Sequence, residues 1–251
     1  MKNWFNLTFN KVFVCTLLVL IALSFFVAFS QNTLLLKSAM GLYIPAFLTF
    51  YFLKYRSLGV MFISFLIFSF LGDLSLTFFS GETFVKVSSI LYFLSYLYLI
   101  AIVAPKFKLF EVNKLIGVYL LGVFLINVFF LYTLYSILKV VIPDNTEVLL
   151  FGLKNLSIIV LAFIAFGVYL NTETKPSIIF LIAVMLIAFS SILNYVNLYY
   201  LYHWSFEMLH RALYVTGLFF VFRYIMAENK YRIPQNTRAK EKTFSSKNIL
   251  V

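Results

Sequence analysis

Eight long apolar runs, separated by short polar connections, leave few folds open to this chain. A helix that crosses a bilayer needs about 20 mostly apolar residues, and each run is close to that length. Short connections make successive helices antiparallel neighbours in one bundle. The sequence therefore predicts an all-α fold, a polytopic membrane bundle of eight transmembrane helices within residues 1–226. The runs are Val12 to Ser30, Leu34 to Leu53, Leu58 to Phe79, Phe84 to Ala104, Leu115 to Leu138, Val148 to Leu170, Ser177 to Leu201 and Phe206 to Met226.

Composition and charge narrow the class of partner. Of the 251 residues, 63% are hydrophobic and 12% are charged. The net charge of +11 is spread over the connections and over residues 227–251, which predict a basic, disordered tail. No nucleic-acid-binding motif accompanies this charge, so membrane lipid is the expected partner and nucleic acid is not. Cys15 is the only cysteine, which excludes an internal disulfide and a cysteine-based metal site, and no cofactor is implied.

The basic residues also predict an orientation. When the connections are assigned alternately to two sides, one side collects 15 lysine and arginine residues and the other collects 4. Because positive residues accumulate in cytoplasmic loops, we expect both termini in the cytoplasm and the bundle in the bacterial inner membrane. A cleaved signal peptide over residues 1–30 is an alternative, since Lys11, an apolar stretch and Ala28-Phe29-Ser30 have that layout. The length of the apolar stretch favours its retention as the first helix.

Asp73 lies inside the third apolar run, and an acidic residue in hydrocarbon marks a functional site unless it is paired. It precedes the end of the run at Phe79 by six residues, or about 9 Å along a helix axis, which places it in the outer half of the bilayer. Polar faces of other helices fall at the same depth, whereas the inner half offers little besides loop charge. We expect these faces to converge, with Lys37 or Lys154 neutralising Asp73. Their residues are Lys37; Ser88, Tyr92, Ser95 and Tyr96; Lys154 and Ser157; Ser190, Ser191, Asn194 and Asn197; and Glu207, His210, Arg211 and Tyr214.

Each of these signals also has a purely structural explanation. Serine and asparagine commonly join membrane helices, and tyrosines at helix ends form the aromatic belt at the interface. Lys37 can extend to the interface, and the charges of the eighth helix can form a salt bridge there. Asp73 and Lys154 can be a structural ion pair. Convergence of several polar faces at one depth favours the functional interpretation.

The third run resembles a family motif. The stretch from Ser69 to Leu76, Ser-Phe-Leu-Gly-Asp-Leu-Ser-Leu, is similar to the Ser-x-x-Gly-Asp-x-x-Leu signature of the YhhN-type integral membrane proteins, which include lysoplasmalogenases. Those proteins are eight-helix bundles. Weaker similarities follow in the family's order along the chain. They are Lys37-Ser38 for a Lys-Pro pair, Leu94-Ser95-Tyr96 for Leu-Ser-His, Phe189-Ser190-Ser191 for the Phe-x-x-Ser-Asp region, and Tyr214, Gly217 and Arg223 in the last helix.

The resemblance implies hydrolysis of the vinyl ether bond of a lysoplasmalogen. This reaction needs a proton donor, a negative group near the oxocarbenium ion and an attacking water, roles that two carboxylates share in glycosidases. Here Ser191 stands where the family has its second acid, and Tyr96 replaces a histidine. Asp73 is thus the expected catalytic carboxylate, with Glu207 or His210 as candidates for the second catalytic group.

Two hypotheses follow for the remaining residues. In a membrane hydrolase, Lys37, Lys154 or Arg211 would hold a phosphate, Asn194, Tyr214 and His210 would place water, and Ser69, Tyr96, Ser190 and Ser191 would complete the substrate site. In a binder or transporter, Asp73 and Lys154 would form an ion or proton relay or a lipid-binding pocket. Charged pairs between helices are typical of transport pathways, but no pair of interrupted helices stands out in the sequence.

Overall fold

The chain is helical throughout its described parts, as the apolar runs predict. The structure is a computed structural model, and it describes residues 2–30, 33–53, 55, 58–78, 82–107, 114–200 and 203–247. Each apolar run corresponds to one helix. In chain order these are α1 (Lys2–Ser30), α2 (Thr33–Phe52), α3 (Val60–Phe78), α4 (Glu82–Val103), a 3-10 turn (Ala104–Lys106), α5 (Lys114–Val141), α6 (Asn145–Thr172), α7 (Lys175–Tyr199) and α8 (Trp204–Lys247).

Five helical segments are long and apolar enough to cross a membrane. They are Asn10–Val27, Thr83–Lys106, Gly117–Val141, Asn145–Thr172 and Lys175–Tyr199. Two more apolar helices, Ser38–Phe52 and Val60–Leu76, are shorter. An all-helical chain with five such segments is a membrane bundle by length and composition, because helices satisfy all backbone polar groups within one segment.

The turn residues set where the helices begin and end. The side chain of Asp144 accepts a hydrogen bond from the Thr146 amide at 2.8 Å and so caps the start of α6. Thr174 and Ser177 form a reciprocal capping box at the start of α7, with Pro176 in its first turn. Glu173 adopts the left-handed conformation, with φ of 46°, at the end of α6. The α5–α6 and α6–α7 connections are therefore tight, and the helices they join are neighbours.

Helix α8 is longer than the sequence predicts. Its helical backbone continues to Lys247, whereas the last apolar run ends at Met226 and residues 227–251 are expected to lack regular structure. Alanine, glutamate, lysine and arginine are frequent in this stretch and have high intrinsic helix propensity, which accounts for the difference.

Helices α3 and α4 pack along each other, and so do α7 and α8. Gly217 makes the second contact possible, since a Cβ atom there would lie 2.7 Å from Cγ1 of Ile187. Aromatic rings from α1, α2 and α8 fill the centre; the rings of Phe13 and Phe219 stack with centroids 4.9 Å apart. The main apolar core therefore lies among the helices that pack against α8.

Helix α5 lies at the edge of the bundle and packs along α6. Its apolar residues Val118, Tyr119, Phe129, Phe130 and Val140 are 61–87% exposed. In water such a face would mark an interface, and in a bilayer it is the surface that lipid covers.

The antiparallel order gives the bundle two ends with different residues. We name the end where α3 ends and α4 begins the Asp73 end. The opposite end, where α4 ends and α7 begins, is the Lys106 end. An ion pair between Lys86 of α4 and Asp144 before α6 joins elements at the Asp73 end. An ion pair between Lys106 and Glu228 of α8 does the same at the other end.

Candidate functional site

Asp73 is fully buried at the Asp73 end and is held by side chains of two other helices. The Tyr92 hydroxyl of α4 donates a hydrogen bond to Oδ1, and the Tyr214 hydroxyl of α8 donates one to Oδ2 at 3.2 Å. Arg211 of α8 is close enough to interact electrostatically with the carboxylate. Two hydroxyl donors and a nearby cation fix the orientation of this carboxyl group where α3, α4 and α8 meet.

Small residues of the family-like motif allow this approach. A Cβ atom on Gly72 would lie 3.3 Å from the Tyr92 ring, so the glycine lets that ring pack against α3. Ser88 donates a hydrogen bond to the Gly72 carbonyl at 3.1 Å, and the Ser69 and Ser95 hydroxyls lie 2.6 Å apart. Ser69 and Gly72 therefore bring α4 close enough for Tyr92 to reach Asp73. In this structure Ser69 is part of the helix contact.

Arg211 is the second buried charge of the site. Its Nε donates to Oε1 of Glu207 at 2.6 Å, and Oε2 of Glu207 accepts from Nδ2 of Asn197 at 2.8 Å. Arg211 also hydrogen-bonds Tyr43 of α2, whose hydroxyl lies 2.7 Å from Oγ of Ser24 on α1. The guanidinium is thus part of a set of contacts that connects helices α1, α2, α7 and α8. Glu207 is its ion-pair partner.

His210 faces α7 and not Asp73. Its Nδ1 lies 2.9 Å from the Ser190 carbonyl oxygen and 2.8 Å from Ser190 Oγ, while Oγ donates to the His210 carbonyl at 3.1 Å. This pattern places the imidazole proton on Nδ1, where it bonds the carbonyl. The His210 and Tyr214 rings have centroids 6.4 Å apart. Neither His210 nor Glu207 contacts Asp73 within the described part of the chain, so the structure does not bring the predicted second catalytic group to the carboxylate.

Lys154 does not form the expected direct pair with Asp73. Its ammonium lies 6.0 Å from the centroid of the Tyr92 ring and 5.8 Å from that of Phe151. Among the described residues no carboxylate lies within ion-pair distance of it. Tyr92 contacts both groups, through its ring to Lys154 and through its hydroxyl to Asp73. Ser157, one turn on, only donates to the Lys154 carbonyl at 2.6 Å.

A small polar cavity of about 30 Å³ lies beside Lys154 at the Asp73 end. Its lining includes Lys154 of α6, Asn194 of α7 and the Ser88 and Ser89 hydroxyls of α4. A space of this size holds one or two waters. Since Ser88 also bonds the carbonyl next to Asp73, the cavity adjoins the helix turn that carries the carboxylate.

A second, larger groove of about 400 Å³ lies between α5, α6 and α7. Its lining is almost entirely apolar, and Phe130, Phe189 and Ile192 on its walls are 52–61% exposed. Phe151 and Tyr195 line both this groove and the cavity beside Lys154, with ring centroids 4.9 Å apart. These two rings form a partition between an apolar groove and a polar cavity.

The remaining predicted residues lie around this centre. Tyr96 is buried behind Tyr92, with ring centroids 6.2 Å apart. Ser191 donates to Oδ1 of Asn155 at 3.2 Å and so joins α7 to α6 on the groove side. Lys37 belongs to α2, but its side chain lies outside the described residues, so its expected contact with Asp73 stays a prediction.

Three residues that make polar contacts around the site were not predicted as site residues from the sequence. Tyr43 and Ser24 bond each other beside Arg211, and Asn155 lies in the groove. Sequence reasoning assigned most tyrosines to the aromatic belt. The available signal for Tyr43 was its central position in an apolar helix, away from either interface.

At the Lys106 end, where the sequence predicts little besides loop charge, loop and tail residues make polar contacts with two tyrosines. Lys106 donates to the Tyr224 hydroxyl at 3.0 Å and pairs with Glu228. Asn229 donates to the Tyr51 hydroxyl at 2.9 Å. A cavity of about 260 Å³ is lined there by Lys106, Glu228 and the Thr174 capping residue, among others. Sequence reasoning missed these contacts because it treated residues near the helix ends as loop or tail.

The donor set at neither end suits a metal ion. In the described part of the chain no three histidine, cysteine, aspartate or glutamate residues cluster as a metal site would require.

The fold and the site define a helical membrane protein with a buried carboxylate between α3, α4 and α8 and an apolar groove between α5, α6 and α7. Comparisons with protein-family models, with curated proteins and with solved structures found no match to this chain. The function is therefore argued from the site.

Proposed function

We propose that the chain is a YhhN-like, eight-span protein of the bacterial inner membrane with cytoplasmic termini, and that it hydrolyses the vinyl ether bond of a lysophospholipid. The observation that carries the proposal is the buried Asp73 carboxyl, held by Tyr92 and Tyr214, with the Lys154 ammonium 6.0 Å from the ring centroid of the same Tyr92. One tyrosine thus contacts both an acid–base group and a cation that suits a phosphate.

The reaction requires one proton donor and one water. Asp73 gives its proton to the vinyl carbon remote from the ether oxygen, and the π electrons form the new C–H bond. The adjacent carbon and the ether oxygen then share a positive charge, next to the Asp73 carboxylate. Water adds to that carbon, and Asp73 takes the proton that the water loses. In the hemiacetal the C–O bond to the glycerol oxygen breaks as Asp73 gives this proton to that oxygen, and the hydroxyl proton passes back to Asp73, which leaves a fatty aldehyde, a glycerophospho-alcohol and the protonated acid.

One carboxylate is sufficient for this sequence because its two roles come one after the other. The same group that donates the proton becomes the anion that stabilises the oxocarbenium ion and then the base for water, as the acid of a retaining glycosidase changes role between steps. The hydroxyls of Tyr92 and Tyr214 stabilise the anionic stage by donating to both oxygens. Glu207, bonded to Arg211 and Asn197, keeps Arg211 in place and takes no proton.

Access to Asp73 requires movement of Tyr92. The carboxyl is fully buried, and Tyr92 bonds it through the hydroxyl while its ring faces Lys154. A phosphate drawn to Lys154 would displace this ring and expose Asp73 to the vinyl ether. The cavity with Asn194 and Ser88 supplies the attacking water.

The proposal is tested with purified protein and a lysoplasmalogen in D₂O, with the released aldehyde analysed by mass spectrometry. Protonation at carbon predicts one deuterium on the carbon next to the aldehyde group. The matched alkyl ether, which lacks the double bond, should not be cleaved. No aldehyde release, or release without deuterium, would contradict the proposal.

A non-enzymatic lipid binder or transporter is the second candidate. It is supported by the enclosure of Asp73, since a carboxylate with no opening serves as an ion-binding or structural group without any reaction. Uptake or current in proteoliposomes that depends on pH and on Asp73, without aldehyde release, would favour this function.

A further inference from the structure

The groove between α5, α6 and α7 has the form of a binding site for a long hydrocarbon chain. It follows α6 from Phe151 to Phe166, about 22 Å at 1.5 Å per residue. This is longer than half of the roughly 30 Å hydrocarbon core of a bilayer. Because several of its walls are exposed, a chain can move in sideways from the lipid.

A buried cation lies close to one end of the groove. Lys154 lines the neighbouring cavity, and Phe151 and Tyr195 line both spaces. Within the described residues this ammonium has aromatic rings and no carboxylate around it. A cation in hydrocarbon without a carboxylate gains most from an anion, and the groove allows the anion to arrive attached to an apolar chain.

Polar groups also occur where the head of such a molecule would join its chain. Asn155 lies in the groove next to Lys154 in sequence and bonds Ser191 of α7. Further along α6 the lining continues with the apolar residues Ile158, Ala162, Phe163 and Phe166. The order along α6 from Lys154 is therefore cation, amide, then hydrocarbon, which matches the order of groups in a single-chain amphiphile.

We infer that this groove binds the hydrocarbon chain of a single-chain amphiphile whose anionic phosphate head pairs with Lys154. The inference rests on the proposed function for the class of ligand, and it adds the place of the chain and the residue that selects the head group.

The test uses the full-length protein in nonionic detergent and a dodecyl phosphate with a diazirine at the end of its chain. After photolysis, labelled peptides from α5, α6 and α7 are expected. Excess dodecyl phosphate should compete, whereas dodecyltrimethylammonium and inorganic phosphate should not. Labelling spread equally over α1, or competition by the cationic amphiphile, would overturn the inference.

Substitutions test the cation, Lys154, separately from the apolar groove. Lys154→Gln removes a charge-assisted bond and should weaken dodecyl phosphate binding by about tenfold or more, whereas Lys154→Arg should retain it. Ala188→Trp fills the groove and should abolish labelling there. Ala22→Trp, on the exposed face of α1, is the matched control and should have no effect. Unchanged binding of dodecyl phosphate by Lys154→Gln would overturn the role of Lys154. If that variant does not fold, the competition between anionic and cationic amphiphiles on the wild-type protein tests the same role.

The binding result is independent of turnover. Groove labelling without aldehyde release from lysoplasmalogen would retain the site and refute the hydrolase. Aldehyde release together with labelling outside the groove would support the hydrolase and refute the groove as the binding site.

Discussion

The two ends of the bundle both carry a tyrosine-supported charge, yet their surroundings differ. At the Asp73 end, Asp73 is fully buried and the Arg211 and Glu207 side chains are 4% and 13% exposed. At the Lys106 end, the paired Lys106 and Glu228 side chains are 32% and 21% exposed. The charges of Asp73, Arg211 and Glu207 are thus kept away from water. There each interaction between charges is strong, and removing one of the partners is costly. The second end is partly hydrated and closes the bundle with ordinary ion pairs.

The largest expected difference concerns catalysis. Asp73→Asn removes the only proton donor of the proposed reaction and should lower aldehyde release by about 10²- to 10⁴-fold. The matched change at the other end, Glu228→Gln, should leave the rate within a factor of about two, as no step of the proposed reaction involves it. Both rates are measured with purified protein and lysoplasmalogen. Equal turnover by wild type and Asp73→Asn would remove Asp73 from the chemistry.

Breaking one ion pair at each end should give unequal losses of stability. Arg211→Met leaves Glu207 with its charge in a nearly dry site and should lower the free energy of unfolding by about 3–5 kcal/mol. Lys106→Met breaks a partly exposed pair and should cost about 1 kcal/mol or less. Unfolding in mixed detergent micelles measures both. Equal losses would show that the two ends are equally hydrated.

Two glycine substitutions test the close contact between α3 and α4. Alanine normally stabilises a helix interior relative to glycine by about 1 kcal/mol. At Gly72 the added Cβ lies 3.3 Å from the Tyr92 ring, so Gly72→Ala should displace Tyr92 and slow aldehyde release by roughly 3- to 10-fold. At Gly41 the nearest atom is Leu74 Cδ2 at 3.5 Å, an ordinary contact. Gly41→Ala should keep full activity, and equal rates for the two variants would rule out the Gly72 contact as a constraint.

The smallest effect is expected at the exposed edge of the Asp73 end. The hydrogen bond from Lys86 holds the pKa of Asp144 below its ordinary value. A carboxyl whose pKa is lowered by folding stabilises the fold above its unfolded pKa, and this contribution disappears as pH falls through the folded pKa. The protection factors for amide exchange near the start of α6, which correct for the intrinsic pH dependence of exchange, should therefore fall below about pH 4. Asp144→Asn keeps a capping side chain but lacks the charge, so its exchange should show no such step.

Sequence reasoning anticipated the helices and the main polar residues better than their pairings. Each apolar run corresponds to a helix, and Asp73, Arg211 and Tyr214 lie together as the common depth of their positions predicts. Of the two lysines expected to neutralise Asp73, Lys154 instead faces the rings of Tyr92 and Phe151, while the contact of Lys37 stays a prediction. Depth along a helix does not specify which side chains meet: the Tyr92 hydroxyl bonds Asp73, and Gly72 makes room for its ring.

The helical class and the candidate carboxylate were determined by the sequence alone, since apolar length and an isolated acid in hydrocarbon follow from the order of residues. Tertiary structure decided the partners: two tyrosines for Asp73, Glu207 for Arg211, and aromatic rings for Lys154. It also decided that α5 stands at the edge and leaves a groove beside α6 and α7. These outcomes depend on how helices rotate and pack against one another, and that rotation is set by contacts between residues far apart in the chain, such as Asp73 and Tyr214.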